Sequence, residues 1–435
     1  MALVIAFVIF IISMIGCVFT GHSIIFALAL GMVLFSGLAV RQGFPVKDVC
    51  MMAVKGIGSG MIVVEIVAMI GMMTGLWRAA GTITFFVYYG IKVVTPPLFV
   101  LLTFILSSAL GYVLANSFAT VGTIGLMLMV IGSSGNVDPI ITAGAIMSGA
   151  YFGDRSSPLA SGPILAANVA GTELMPLVKK MFQTSILPMA LCCVIYLYLS
   201  IRNPITDVNE QVMESMRTDF LLSPLTLVPI AVMFILLFAR LDVRWAYVGG
   251  IISGGAVTMI CQKASFKSVL LCSLKGFVPS SDSLKDVLTG GGLIEMWDVV
   301  IIIALACAMS GVFEETKMLA QMQQKISSMM AKAGRFPTTL LLAAVTTAMF
   351  CSQTIAIIMS GNLVVKPYSE AGASGEEIAQ DLCNSCIPMS VLIPWSIAFS
   401  VPAGILGVGA EVLPYSCYLY LMPVIYGVTK KFWFR

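Results

Sequence analysis

Charged side chains are scarce in this chain. Of its 435 residues, 24 are Lys or Arg and 21 are Asp or Glu, so that 10% are charged and 59% are hydrophobic. Soluble globular proteins carry about a quarter charged residues. With a mean hydropathy of +1.01, the chain has too little polar surface to face water on all sides. The composition therefore excludes a soluble globular protein. It predicts a multi-pass protein of the inner (plasma) membrane, with the lipid bilayer as partner for most of its surface.

Other absences narrow the classes of function. The chain has one histidine, His22, a net charge of only +3 and no run of more than two basic residues. Nucleic-acid binding therefore lacks its usual electrostatic basis. The 11 cysteines are scattered through apolar segments, which favours small buried hydrophobes over disulfides or metal ligands. We find no catalytic triad, phosphate loop or metal-ligand pattern, so we expect neither an enzyme nor a cofactor.

Long apolar runs are what the chain has instead. A helix needs about 20 apolar residues to cross a bilayer, and runs of this kind lie at 2–19, 23–40, 60–77, 98–115, 178–200, 222–240, 245–262, 296–313, 337–351 and 411–428. Shorter pieces, interrupted by Gly, Ser or Pro, lie at 80–94, 120–132, 139–168, 318–333, 353–366 and 376–408. Unpaired backbone is tolerated at membrane depth only inside protein or beside a wet cavity. The broken pieces are therefore the predicted location of a binding or permeation site.

The chain also matches itself. Lys55-Gly56 recurs as Lys275-Gly276 at an offset of 220. After an insertion around residues 280–292 the offset becomes 236, and Asn116-Ser117 then falls on Ser352-Gln353. Two related halves with broken helices are typical of secondary transporters. The pattern predicts an all-α polytopic membrane protein made of two inverted structural repeats with broken helices, which carries a small ion or small organic solute.

Polar side chains cluster in the broken pieces, where an unpaired polar group is costly and therefore points to function. Candidates for binding the ion or substrate are Asp154, Ser156, Ser157, Ser161 and Asn168 in one half, Asn384, Ser390, Trp395 and Ser396 in the other, and the matched pair of segments Asn116, Ser117, Thr120 and Ser352, Gln353, Thr354. The 236-residue frame places Ser390 opposite Asp154, so the two halves differ in charge.

Two acidic residues are candidates for proton coupling. Asp154 is the first, the alternative being a structural pair of Asp154 with Arg155 at the membrane interface. Glu65 lies in an otherwise apolar run. It is either a proton-coupling carboxylate or one half of a helix–helix pair with Arg78 or a lysine.

The same segments resemble the NhaC-type Na⁺/H⁺ antiporters of the ion transporter superfamily. The residues that carry the resemblance are Gly149-Ala150-Tyr151-Phe152-Gly153-Asp154-Arg155, Ser157-Pro158-Leu159, Ser352-Gln353 with Gly361, Leu392-Ile393-Pro394-Trp395 and Pro414-Tyr415. Antiporters of this family typically continue with Ser-Asp-Thr after Ser-Pro-Leu, whereas this chain has Ala160-Ser161-Gly162. An Na⁺- or H⁺-coupled carrier of a small amino acid or carboxylate, as found in the wider family, therefore remains the alternative to a cation-coupled antiporter.

The resemblance implies a homodimer of elevator type, in which a transport core built from two re-entrant hairpins and broken helices moves against a scaffold. The implied division is a scaffold at 1–95, a transport core at 96–200, a connector at 201–221, a second scaffold part at 222–335, and a second core part with the C-terminal helix at 336–435. A receptor or a structural membrane protein is the alternative from a different class, and it would show no solute flux.

Overall fold

The computed structural model describes residues 2–20, 22–93, 96–206, 210–239, 241–316, 329–330 and 332–433. Within these ranges all regular structure is helical, apart from an isolated bridge between Phe277 and Gly290. Six helices are long and apolar enough to cross a membrane, and up to eight spans result if two bent helix pairs are each counted as one. The all-helical, multi-pass architecture expected from composition is confirmed.

The first half consists of nine helices over its described residues: α1 (Ala2–Thr20), α2 (Ile24–Arg41), α3 (Val46–Ala79), α4 (Thr82–Val93), α5 (Phe99–Leu114), α6 (Ser117–Ser134), α7 (Pro139–Ser156), α8 (Ser161–Ala170) and α9 (Leu174–Arg202). Local sequence fixes several of their ends. Asp138 caps α7 by accepting the Ile140 N–H, and Pro139 follows at the first helical position, which suits a residue without an N–H.

The second half contains α10 (Glu210–Asp219), α11 (Val228–Phe238), α12 (Val243–Cys261), α13 (Phe266–Lys275), α14 (Asp282–Leu288), α15 (Trp297–Thr316), α16 (Arg335–Phe350), α17 (Gln353–Glu370), α18 (Gly375–Leu392), α19 (Ile397–Leu406) and α20 (Cys417–Trp433). The expected span at 411–428 starts later, because residues 410–415 form a short 3₁₀ turn before α20. The predicted broken piece at 318–333 lies outside the described residues, apart from 329–330 and 332–333.

Helix bounds in the two halves coincide under the offsets read from the sequence. A shift of 236 residues places α5 on α16, α6 on α17, α7 on α18 and α8 on α19 at both ends. The long helix α3 corresponds to two shorter ones, α13 at an offset of 220 and α15 at 236. The extra residues between α13 and α15 form α14 and the Phe277–Gly290 bridge, so the insertion replaces the middle of one continuous helix.

The packing of the halves is reciprocal. Helix α2 packs on α15 while α12 packs on α3, and α8 contacts α17 and α18 while α19 contacts α6 and α7. Helices α3 and α15 cross at Gly56 and Gly311, where a Cβ on Gly56 would lie 2.2 Å from the Cys307 carbonyl oxygen. Small residues allow such close helix crossings in membranes. Helices α3 and α15, which the offsets match in part to each other, thus pack directly against one another across the two halves.

Candidate functional site

Two helices break at matched positions. Helix α5 ends at Ala115 and α16 ends at Cys351, and both residues adopt the left-handed backbone conformation, with φ of 53° and 54°. This conformation is unfavourable for residues with a Cβ, yet it recurs 236 residues apart. In each case a new helix starts at once, with Asn116 capping α6 and Ser352 capping α17. The predicted polar segments are therefore the points where the chain turns between helices.

A cavity of about 160 Å³ lies between these two breaks. Seven of the candidates from the sequence line it: Asn116, Ser117, Asp154, Ser161, Ser352, Gln353 and Thr354. Its remaining walls come from Val63, Ala115, Phe118, Tyr151, Ile397 and Ala398. Among the described residues that line it, Asp154 is the only ionisable group other than the Tyr151 phenol. The fold therefore brings together residues of both halves around one carboxylate.

Asp154 is held by a short polar chain. The Gln353 amide Nε2 donates to Asp154 Oδ2 at 3.2 Å, and the Gln353 Oε1 accepts from the Ser390 hydroxyl at 3.0 Å. Asp154 is 6% exposed and Ser390 is fully buried. Gln353 therefore links the carboxylate of α7 to the residue at the equivalent position of α18. This arrangement fixes the carboxylate while leaving its charge to face the cavity.

The cavity is built from oxygen donors and helix ends. Helices α6, α8, α17 and α19 all begin at residues that line it or stand next to it. Helix N-termini carry partial positive charge, which stabilises a carboxylate among them. Hydroxyl, amide and carboxylate oxygens are the ligands that hard cations prefer. The lining thus offers the Asp154 charge and neutral oxygen ligands to a small cation, whereas the positive helix ends favour an anionic group.

Arg155, next to Asp154 in the sequence, faces away from the cavity. It is fully buried, and its guanidinium donates to Asn384 Oδ1 at 2.8 and 2.5 Å, to Thr184 and Tyr418 at 3.2 Å and to Ser185 at 2.5 Å. These acceptors are neutral side chains on three other helices. Arg155 therefore joins α7 to α9, α18 and α20, and it forms no ion pair with Asp154 in the described structure.

The other candidates from the sequence lie outside the cavity wall. Ser156 and Asn384 contact Arg155, Thr120 bonds its own helix backbone, and Ser157 and Ser396 cap helix ends. Trp395 donates to the Ala348 carbonyl and packs edge-on against Phe10. Asn168 is exposed on α8.

Glu65 also lies outside the cavity. Its side chain is 45% exposed, and it pairs with Arg244 of α12 at 3.4 Å. The structure thus places it in a helix–helix pair, with a partner that differs from Arg78 and the lysines considered from the sequence.

Two features were not foreseen from the sequence. Tyr151 lines the cavity one helical turn before Asp154, and its hydroxyl donates to the Ala398 carbonyl in the other half. A buried charge network joins α18 to α20, in which Asp381 accepts from Lys430 at 2.5 Å and from Tyr368 and Tyr426 at 2.8 Å. Tyr151 belongs to the motif at 149–155 that carries the family resemblance, and its place in that motif, three residues before Asp154, was the sequence signal for the first feature.

Comparisons with known proteins identify the family of this chain. The model of the "Na+/H+ antiporter family" matches residues 149–430, well over half of the chain. The malate-2H⁺/Na⁺-lactate antiporter of Bacillus subtilis is 26% identical over 91% of this chain and 87% of its own. The Na⁺/H⁺ antiporter NhaC of Alkalihalophilus pseudofirmus is 25% identical over 89% and 85%. The arginine/ornithine antiporter ArcD of Halobacterium salinarum is 28% identical over 86% and 78%.

Proposed function

Because this chain belongs to the Na⁺/H⁺ antiporter family and is a secondary transporter rather than an enzyme, we propose that Na⁺ and H⁺ exchange at the cavity around Asp154. The observation that carries the proposal is the lining itself. One carboxylate faces neutral hydroxyls and amides from both halves, and no Lys, Arg or His of the described residues lines the cavity. A site of this kind attracts a cation and offers it oxygen ligands.

The exchange follows from the single charge. Ionised Asp154 binds Na⁺ together with oxygens such as those of Ser117 and Thr354, whereas protonated Asp154 has no charge with which to hold it. Na⁺ and H⁺ therefore occupy the site in turn. If the site then opens to one side of the membrane at a time, the entry of H⁺ is coupled to the exit of Na⁺. In the opposite direction, the entry of Na⁺ is coupled to the exit of H⁺. Gln353 serves as the positioning residue that keeps the carboxylate aimed at the cavity.

We further propose that the two halves are inverted repeats of an elevator-type carrier. The coinciding helix bounds and the reciprocal packing support two repeats related by a twofold axis. In this proposal the scaffold comprises 1–95 and 222–335, and the transport core comprises 96–200 and 336–435, with 201–221 as connector and a homodimer as the working unit. The Asp154 cavity fits this division, because Val63 of the scaffold part contacts the same cavity as the core residues.

A second candidate function is coupled carriage of a small amino acid or carboxylate. Its support is the cavity volume of about 160 Å³, more than one Na⁺ fills, together with relatives named for lactate, malate, arginine and ornithine. A solute with an ammonium group would match Asp154, whereas a dicarboxylate would be repelled by it.

Flux measurements with purified protein in liposomes separate the two functions. A pulse of Na⁺ alone should change the internal pH of protein-containing vesicles, with no response in protein-free vesicles. Exchange of labelled lactate, malate or arginine, with no response to Na⁺ alone, would instead support the second function. No flux of any of these solutes across vesicles with intact pH gradients would refute both.

A further inference from the structure

A second cavity, of about 180 Å³, lies at the C-terminal end of α3. It is lined there by Thr74 and Arg78, while the Asp154 cavity touches the same helix at Val63. At a helical rise of 1.5 Å per residue, Arg78 lies about 22 Å along α3 from Val63. The two cavities also share α6 and α19, at opposite ends of each helix. The second cavity is therefore a separate compartment.

Arg78 gives this cavity a positive charge with unused donors. Its Nη1 donates to the Thr289 carbonyl at 3.0 Å and to the Val287 carbonyl at 3.4 Å. Its Nε is fully enclosed and has no acceptor among the described residues. A buried donor without an acceptor is costly. The Arg78 Nε is therefore free to donate a hydrogen bond to a ligand.

Glu295 also lines this cavity, and among the described residues it forms no ion pair with Arg78. Gly290 and Gly291 have φ of 132° and 76°, values that favour glycine. A Cβ on Gly290 would lie 3.4 Å from a Glu295 carboxylate oxygen and 3.6 Å from Arg78 Cζ, so the absent side chain leaves open space between the two charges. Glu295 accepts the Gly291 N–H instead. Arg78 therefore presents a free donor to the cavity, with the Glu295 charge as a second polar group on its wall.

The remaining walls are mostly apolar. Leu126, Met129 and Val130 of α6 face Ile405 and Leu406 of α19 across the cavity. A ligand that fills it must combine an anionic end with a short hydrocarbon part, because bare inorganic anions would leave these walls unfilled. A second carboxylate would meet the negative charge of Glu295.

We propose that this cavity binds a small organic monocarboxylate, with the carboxylate on the Arg78 guanidinium and the hydrocarbon part between α6 and α19. The planar donor edge of arginine matches a carboxylate. The site is distinct from the Asp154 cavity and stands whether or not Na⁺/H⁺ exchange occurs there.

Butyrate binding to the purified full-length protein tests the proposal. Equilibrium dialysis with labelled butyrate should show saturable binding, with butylamine and succinate binding weakly or not at all. Arg78→Gln should weaken butyrate binding by about tenfold to a hundredfold, the range for a hydrogen bond to a charged group. Val130→Phe should weaken it by filling the cavity. Arg41→Gln, at the exposed end of α2, and Asp154→Asn should leave it unchanged.

A second test uses only the wild-type protein and so does not depend on whether a variant folds. Butyrate should slow the modification of Arg78 by phenylglyoxal, measured peptide by peptide by mass spectrometry, and should leave the modification rate of Arg41 unaltered. The proposal is wrong if butyrate shows no saturable binding, if Arg78→Gln binds it as well as the wild type, or if Asp154→Asn abolishes the binding.

Discussion

Replacing Asp154 by Asn removes the one formal charge of the cavity and little else. The two side chains have similar size, and the Asn carbonyl can still accept the Gln353 Nε2 hydrogen bond seen at 3.2 Å. A carboxylate and a cation 4 Å apart at an effective dielectric constant of about 20 interact by about 4 kcal/mol. Losing that attraction should weaken Na⁺ binding by about a thousandfold. Na⁺-dependent pH changes in vesicles should vanish at any Na⁺ concentration that drives the wild type.

The matched control is Asp138→Asn. Asp138 caps the same helix at its exposed end, and Asn caps helices as well as Asp does, so this variant loses one charge and keeps fold and transport. Both variants are reconstituted in equal amounts and assayed with a trapped pH dye over a range of Na⁺ concentrations. If Asp154→Asn exchanges Na⁺ for H⁺ with the wild-type concentration dependence, the assignment of the site to Asp154 is refuted.

Three further substitutions test contacts elsewhere in the structure: the hydrogen bonds of Gln353, the Asp381–Lys430 ion pair and the crossing of α3 with α15. Gln353→Leu removes the hydrogen bond to the Asp154 carboxylate and the one that Gln353 accepts from Ser390, and it should weaken Na⁺ binding by about tenfold; an unchanged affinity would argue against its positioning role. Asp381→Asn should lower the free energy of unfolding by about 1–3 kcal/mol, because the mostly buried Lys430 loses this partner and keeps Glu377 at 2.8 Å, and adding Lys430→Met should restore part of the melting temperature. Gly311→Val should prevent the close crossing of α3 and α15 and reduce the yield of folded protein, whereas Gly37→Val, which has open space around its Cβ position, should not.

The duplicated breaks show what the sequence can predict. Polar residues are costly in apolar segments, and this marked Asn116-Ser117 and Ser352-Gln353 as candidates. The offset of 236 residues between the two pairs indicated that they occupy equivalent positions in the two halves. The structure puts both pairs on one cavity with Asp154. Composition and frame were sufficient here because the cost of unpaired polar groups in lipid acts at every such position.

Side-chain direction could not be predicted in the same way. Asp154 faces the cavity while Ser156, two residues on, contacts Arg155, and this choice depends on how α7 is rotated against its neighbours. Glu65 lies at the surface beside Arg244 for a similar reason, since its exposure is set by the position of α3 in the bundle. The Asp381–Lys430 contact joins residues 49 apart, and no local pattern marks such a pair.

Proton release on Na⁺ binding tests the central claim most directly. Purified protein is titrated with Na⁺ in calorimeter buffers of different ionisation enthalpy, which reports how many protons leave per Na⁺ bound. The account predicts that the wild type releases protons over the pH range where Asp154 is partly protonated and that Asp154→Asn releases none. Equal proton release by both proteins, or Na⁺ binding to the wild type without proton release at every pH, would contradict exchange at this carboxylate.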